Sequence, residues 1–380
     1  MKRVAIIGAG LSGLYIANLF KRNSNYQTTI FEKSTLTNLE EGYGIQLSIN
    51  SVKLLNKIEF KKFDNEKKFN PEKIDFYSTK SSVKICDLNI SDFNLVDCKY
   101  TTMKRSDLIK FLKKDLGDII KTNHSISNID KKNQVIKLSF KNNKTFECDY
   151  LIISDGVFSK CKNLISKYQI QPKYNNTLAL RGTFTNSSNF IDNKNISLFL
   201  GSDFHYVIYP VAQNRDLNFI AIMKYNLTIE ELKNYSLFND DNFIKKILKE
   251  IPSESKQYFD EIKELKIFPV FVSDNFFNTK NKNIHLIGDA FFAFPPSFAQ
   301  GASQSLESAY ELFNSIESNT EISFFKNRVN RTKMVNYRSK LNQFVFHLSN
   351  PFTKFFRNII MKRLVKNKKF LDSYLGKIYR

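Results

Sequence analysis

Tryptophan is absent from the 380 residues, and cysteine and histidine are scarce, at four each. Cys86, Cys98, Cys148 and Cys161 form no Cys-x-x-Cys pair, which argues against a thiolate metal site or a dithiol redox centre. Free thiols suit a reducing compartment, so the chain is expected to be cytoplasmic. His124, His205, His285 and His347 include no His-x-His or His-Glu-x-x-His arrangement, and no metal site is expected. No apolar run approaches the roughly 18 residues of a membrane-spanning helix. The first strand-like run begins at Val4, so no cleaved leader is expected. Acids are outnumbered by bases, 37 to 58, and the net charge is +21. Such a balance suits nucleic acid or an anionic membrane. Here the lysines are dispersed among abundant Asn, Ile and Phe. No RNP-like motif, zinc-finger spacing or basic heptad helix is present, so nucleic acid is not an expected partner.

Glycine is sparse too, at 12, yet two glycine-bearing segments stand out at opposite ends of the chain. The first is Gly8-Ala9-Gly10-Leu11-Ser12-Gly13. Before it, Val4-Ala5-Ile6-Ile7 is a short apolar run of the kind a buried parallel strand requires. Gly8 permits a tight turn, Gly10 lets a pyrophosphate approach the backbone, and Gly13 lets the next helix pack on the sheet. That helix continues through Leu14, Ile16, Ala17, Leu19 and Phe20, and its N-terminal N–H groups suit phosphate. A second strand, Thr28 to Phe31, leads into Glu32 and Lys33. Glu32 stands 19 positions after Gly13, near the roughly 20 at which an acid binds a ribose hydroxyl. The second segment is Gly288-Asp289-Ala290, followed by Pro295-Pro296 and Gln300-Gly301-Ala302. Together the two imply one large dinucleotide, FAD, gripped by both ends of the chain.

The periodicities between them predict a mixed α/β chain. Arg105 to Leu116 reads as a helix with Leu108, Ile109, Phe111, Leu112 and Leu116 on one side. Val135 to Phe140 and Thr145 to Glu147 read as a hairpin, and Tyr150 to Ile153 as a buried strand ending at Asp155-Gly156. Period-two segments fall at 72–100 and again at Ala179–Phe184, Ile196–Leu200, Tyr206–Tyr209 and Leu217–Met223, with a helical insert near 228–250. Ile284 to Ile287 then enters Gly288, and a helix follows from Ser303 to Ile316. With 42% hydrophobic residues over this length, two packed units are expected. The expected arrangement is a discontinuous Rossmann-like FAD-binding domain (1–71, 101–168 and 279–325) and an inserted antiparallel β-sheet substrate domain (72–100 and 169–278). A C-terminal helical region (326–380) completes it.

In this order the motifs form a set. The chain resembles the single-component FAD-dependent monooxygenases, the aromatic-hydroxylase group with a p-hydroxybenzoate-hydroxylase-like fold. It is nearest to salicylate-hydroxylase-type or ubiquinone-biosynthesis-type members. Gly8, Gly10, Gly13 and Glu32 match the pyrophosphate and adenosine-ribose motif, and Gly42-Tyr43-Gly44-Ile45-Gln46-Leu47 the glycine-rich loop near the flavin. Arg105 with Leu108 matches the Arg-x-x-Leu helix, whose Arg contacts the cofactor. Asp155-Gly156 with Ser159 matches the motif tied to FAD and NAD(P)H, and Gly288-Asp289 the motif whose Asp binds the ribityl chain. Pro295-Pro296 and Gln300-Gly301-Ala302 match the loop and helix start beside the isoalloxazine. Arg181-Gly182 and Tyr209-Pro210 stand where salicylate-hydroxylase-type relatives have similar pairs. The family often has a His after Gly-Asp-Ala-Ala; here Phe291 and Phe292 occupy those positions, suggesting with Phe294 and Phe298 an apolar wall. The family's base after the motif Ser corresponds to Lys160 or Lys162.

The resemblance implies that NADH or NADPH reduces FAD, that O₂ then gives a flavin C4a-hydroperoxide, and that its distal oxygen passes to a small aromatic or lipidic substrate. No acid–base residue is assigned. Arg181, His205, Tyr209, Phe292 and Pro296 are candidates to face substrate, with core packing the alternative for His205 and Tyr209. A prenyl-chain reductase and a non-enzymatic prenyl-binding protein share the fold and remain open. Flavin halogenases resemble a Trp-x-Trp-x-Ile-Pro pattern, which a chain without tryptophan does not have. After Pro351, apolar residues recur at Phe352, Phe355, Phe356, Ile359, Ile360 and Leu364, while 350–380 carries nine bases against Asp372 alone. This predicts a helix, packed on the domain or laid on a membrane surface.

Overall fold

The computed structural model describes residues 1–35, 43–132, 135–166, 168–185, 194–213, 216–251, 255–256, 259 and 262–379. Gly42 of the glycine-rich loop lies outside them. The first apolar run is the central strand, Lys2–Ile7, of a five-stranded parallel sheet. Tyr26–Phe31 and Ile120–Lys121 lie to one side of it, and Tyr150–Ile153 and Ile284–Leu286 to the other. The run is apolar throughout because both its faces are covered. Val4 and Ile6 pack toward the helices Leu11–Lys21 and Gly301–Glu317. Ala5 and Ile7 pack toward a three-stranded antiparallel sheet, Ile126–Lys132, Val135–Phe140 and Thr145–Cys148. The hairpin of that sheet was legible as a period-two pattern, whereas Ile126–Lys132, polar and mostly exposed, carried little alternation to read.

The second unit is a seven-stranded sheet in the order Lys263–Val272, Lys173–Thr185, Asp216–Lys224, Phe204–Pro210, Ile196–Leu200, Lys73–Ser78, Lys84–Asn89. Its pairings are antiparallel except that of Ile196–Leu200 with Lys73–Ser78. One face carries Leu178, Leu180, Tyr206, Ile208 and Phe219, covered by the helix Asp241–Lys249 through Phe243 and Ile247. The other face looks toward the first unit. The helix Arg105–Lys113 is one turn shorter than expected, and Glu321–Phe346 runs across the expected 325/326 boundary.

The helix Pro351–Leu364 inverts the usual pattern. Its buried residue is Arg357, 5% exposed, while Phe352, Phe355, Phe356 and Ile360 face solvent at 45–70%. No helix of the described residues is long and apolar enough to cross a membrane.

A buried ionic cluster ties the two long helices together. Glu307 accepts from Nε and Nη2 of Arg331 at 2.9 and 2.7 Å and from Nη1 of Arg328 at 3.3 Å. Arg328 is 1% exposed. Burial alone would raise the Glu307 pKa, but the Arg331 hydrogen bonds and the Arg328 charge outweigh it and hold the carboxyl below its ordinary range. Asn50 also donates to Glu307, and Ser303 joins Ser48 and Ser51, so the helix Ile49–Leu55 is held by the same cluster. Glu307→Ala leaves Arg328 buried with neutral Gln304 and, as its remaining carboxylate among the described residues, the half-exposed Glu311 at 3.2 Å. The expected loss of stability is about 3 kcal/mol, read by urea unfolding. A loss below about 1 kcal/mol would place the cluster among surface-like ion pairs.

Candidate active site

The parallel register aligns three strand ends. Ile7 pairs with Ile153, and Ile153 with Leu286. Beyond these residues the chain turns at Gly8, Gly156 and Gly288, with φ of 101°, 84° and 59°. These are the positive-φ glycines among the described residues, where any side chain would be strained. A Cβ at Gly13 would stand 2.1 Å from the Gly8 carbonyl oxygen, so the first helix packs onto the turn only as glycine. Ser154 bridges the turn, donating within 2.9 Å of the carbonyl oxygens of both Ile7 and Gly8. It lines the site and sequence reasoning missed it; its signal was its place just before Asp155-Gly156.

In front of these turns lies a cavity of about 970 Å³. Gly10, Leu11, Ser12, Gly44, Ile45, Arg105, Gly156, Asp289, Pro295, Gly301 and Ala302 line it, as do Arg181, His205, Tyr209 and Pro296. Others support it from behind. Glu32 is buried and accepts from the Ala9 N–H at 2.8 Å and the Ser34 N–H at 2.9 Å. Asp155 accepts from the Cys161 N–H at 3.0 Å, with its other oxygen buried and unpartnered. Gln300 donates to Ser48. Lys33 is exposed beyond the second strand. Phe292, expected against substrate, instead stacks on Phe276 at 4.6 Å inside the core, and Phe291 packs there too. Only Phe294 and Phe298 of the four phenylalanines reach the cavity. Of the two candidate lysines, Lys160 is exposed and Lys162 is buried, its pKa lowered by desolvation against the pull of Asp155 and Asp289.

The fit of a flavin dinucleotide can be tested on these walls. At Gly10, Gly156 and Gly301 a Cβ would meet nothing within 4 Å, although all three line the cavity. Packing therefore does not demand glycine at Gly10 or Gly301, and the open space there leaves room for close approach of a ligand. The helices Leu11–Lys21 and Gly301–Glu317 both begin at the cavity with no side-chain cap, leaving N–H groups and partial positive charge for an anionic ligand. The Asp289 carboxylate opens on the cavity, and no described residue hydrogen-bonds it. Desolvation raises its pKa to about 6, opposed by Arg105 and Lys162. Burial lowers the Arg105 pKa, as does the neighbouring Arg181, while Asp289 opposes. An unsatisfied carboxylate between cations suits the hydroxyls of a sugar-alcohol chain, and the residues fit FAD.

The face of the seven-stranded sheet supplies the other half. Tyr100 donates to Gln46 Oε1 at 2.8 Å, and the Arg181 guanidinium lies 5.9 Å from the Tyr43 ring centroid. Burial pushes the Tyr209 pKa up against Arg181 and a Gln46 hydrogen bond. Gly44 donates to Asn218 Oδ1 at 2.6 Å, and a Cβ there would stand 2.5 Å from Asn218, which pins the loop to the sheet. Gln46, Tyr100 and Asn218 were not foreseen as a cluster, since they come from segments distant in sequence. Beyond them the wall is apolar, including Ile74, Ile196, Leu198, Val207, Ile220 and Ile222. His205 sits at 2% exposure at the far end, its Nδ1 2.8 Å from Nε2 of His347. Desolvation lowers both pKa values, that of His347 to about 4.

Residues 1–319 match the FAD binding domain family, and the chain belongs to it. It is 26% identical over 225 residues to 3-amino-4-hydroxybenzoate 2-monooxygenase of Streptomyces cremeus, covering 58% of this chain and 56% of that protein. The chain thus spans about half the length of that relative. To salicylate hydroxylase of Pseudomonas putida it is 24% identical over 345 residues, 82% and 75% of the two chains. Klebsiella pneumoniae HpxO, solved with FAD and uric acid, superposes with a TM-score of 0.84 over 99% of this chain and 96% of that one, at 13% identity. A salicylate hydroxylase substrate complex gives 0.77 over 100% and 97%, at 18% identity. The fold is that of the FAD-dependent hydroxylases.

Asp289→Ala is expected to lose most bound flavin, measured as flavin stoichiometry of the purified protein. Because the folded-state pKa is raised, the flavin-free protein loses stability as pH rises from the ordinary carboxylate range to about 6, and the ionised carboxylate carries the full cost above it. Flavin-free Asp289→Asn should therefore melt higher than the parent at pH 8, even as FAD binding falls. The two histidines act in the opposite sense. Their lowered pKa values mean the unfolded chain binds more protons below about pH 6.5. Stability should fall from there toward pH 4 by on the order of 1 kcal/mol per pH unit per group. His347→Gln should flatten that slope in urea titrations; an unchanged slope would sink the assignment.

Proposed function

We infer that the protein is a FAD-dependent monooxygenase that uses NADH or NADPH and O₂ to hydroxylate an aromatic or other apolar compound. One observation carries the reading: the cofactor cradle and the apolar sheet face are walls of a single cavity. The overall change is R–H + O₂ + NAD(P)H + H⁺ to R–OH + H₂O + NAD(P)⁺. FAD, when bound, supplies the relay of electrons and the activation of oxygen. The chain's own residues bind and position. The N-terminus of Leu11–Lys21 and Gly10 would hold the pyrophosphate, Glu32 the adenosine ribose, and Asp289 the ribityl chain. The N-terminus of Gly301–Glu317 would place partial positive charge by the electron-rich edge of the ring. The apolar wall excludes water from the reacting centre.

Arg181, Tyr209, Gln46 and Tyr100 would orient a hydroxylated or carboxylated ring, in keeping with relatives named for aminohydroxybenzoate and salicylate. Tyr209 and His205 lie four residues apart on one strand, about 13 Å. Apolar wall fills that interval, so the cavity has room for an apolar extension beyond the ring. The basic C-terminal stretch adds peripheral membrane contact to this reading, with the protein in the cytoplasm.

Oxygen uptake by FAD-loaded protein tests it, with small phenols, salicylates and short-chain prenylated phenols as the panel. Substrate-dependent O₂ consumption matched by NAD(P)H oxidation is expected. Substrate-dependent NAD(P)H oxidation without O₂ uptake would instead point to a prenyl-chain reductase. Failure to take up FAD at all would leave a non-enzymatic prenyl-binding protein.

A further inference from the structure

Resting on that reading, we propose that the outer faces of Glu321–Phe346 and Pro351–Leu364 form a docking surface for an anionic lipid bilayer, with the mouth of the substrate cavity opening within it. On the second helix the exposed rings touch one another: Phe352 and Phe356 centroids are 4.7 Å apart, and Phe355 and Phe356 5.6 Å. Tyr337, Leu341 and Phe344 extend the surface on the first helix, spaced i, i+4 and i+7 on one face and all exposed. The helix Pro351–Leu364 keeps Arg357 inside, where, among the described residues, Asn358 hydrogen-bonds it and Nη1 has no partner. Hydrophobic packing on this protein would have turned the helix the other way. Its phenylalanines are held outward, as a partner outside the chain requires.

The chemistry of the surface selects the partner. Lys362 and Arg363 are exposed in the last turn of the same helix and Lys366, Lys368 and Lys369 just after it, and Asp372 is the single acid of residues 350–380. Aromatic and aliphatic groups flanked by lysine and arginine suit the interface of an anionic bilayer. A second copy of the chain is disfavoured, because a two-fold contact would set the same cations face to face. The route follows from Tyr337 and Leu341, which both line the cavity and reach solvent, and from Met361, Leu364 and Val365, which line it from the inner side of the docking helix. An apolar compound dissolved in the bilayer could enter there without crossing water.

The test is co-sedimentation of full-length, FAD-loaded protein with vesicles. Expected is binding to phosphatidylcholine–phosphatidylglycerol vesicles, weakened by salt, and little binding to phosphatidylcholine alone. Phe352→Ser/Phe355→Ser/Phe356→Ser and, separately, Lys362→Gln/Arg363→Gln/Lys366→Gln should each reduce it roughly tenfold or more. These side chains are exposed, so flavin content and NAD(P)H oxidation should be unchanged. Equal, negligible binding by parent and variants overturns the proposal, as does a patch that sets oligomeric state and leaves vesicle binding alone. Vesicle binding is read without turnover, so its failure alongside normal oxygen consumption would overturn the docking and leave the monooxygenase reading standing.

Discussion

Everything in the site depends on the register of three parallel strands. Hydrogen bonding between Lys2–Ile7, Tyr150–Ile153 and Ile284–Leu286 brings their carboxyl ends level. Each of these strands is followed by a left-handed glycine, and the three turns then share one edge. Ser154 and the Gly8–Gly13 contact lock the first two turns together, with backbone atoms so close that a single methyl would separate them. Segments far apart in the chain thereby become one wall. In an open α/β sheet this edge is where ligands bind, because helix N-termini and unpaired backbone groups converge there.

Stability and binding are set against each other along that wall. The Glu307 cluster behind it is satisfied, with two arginines holding a buried carboxylate ionised. Asp289, in front, is unsatisfied, its carboxyl pushed up by desolvation despite Arg105 and Lys162. The first kind of site fixes helices. The second is costly in the empty protein and repaid only when a ligand completes its hydrogen bonds.

The cofactor half of the site was legible because its signals are local. A strand, a glycine turn and a helix need only neighbours in sequence to declare themselves, and Gly10, Arg105 and Asp289 all came to the cavity. The substrate half was less legible. Gln46 lies in one strand and Tyr100 just before another, 54 residues on, and His205 meets His347 across 142 residues. Phe292 shows the limit clearly. Its position beside a motif suggested the cavity, but its rotation within a short helix end turned it to Phe276 and the core.

The amino-acid sequence by itself determined the α/β class, the order of the motifs and the dinucleotide they serve, since each rests on periodicity and turn chemistry within a few residues. Only the tertiary structure decided which glycines serve packing and which leave room for a ligand, for that depends on what lies opposite a missing Cβ. It also decided which way Pro351–Leu364 faces. Helical spacing puts Phe352, Phe355, Phe356 and Ile360 on adjoining positions, but the choice between core and solvent belongs to the surface the helix meets. Here that surface took Arg357 and left the rings outside.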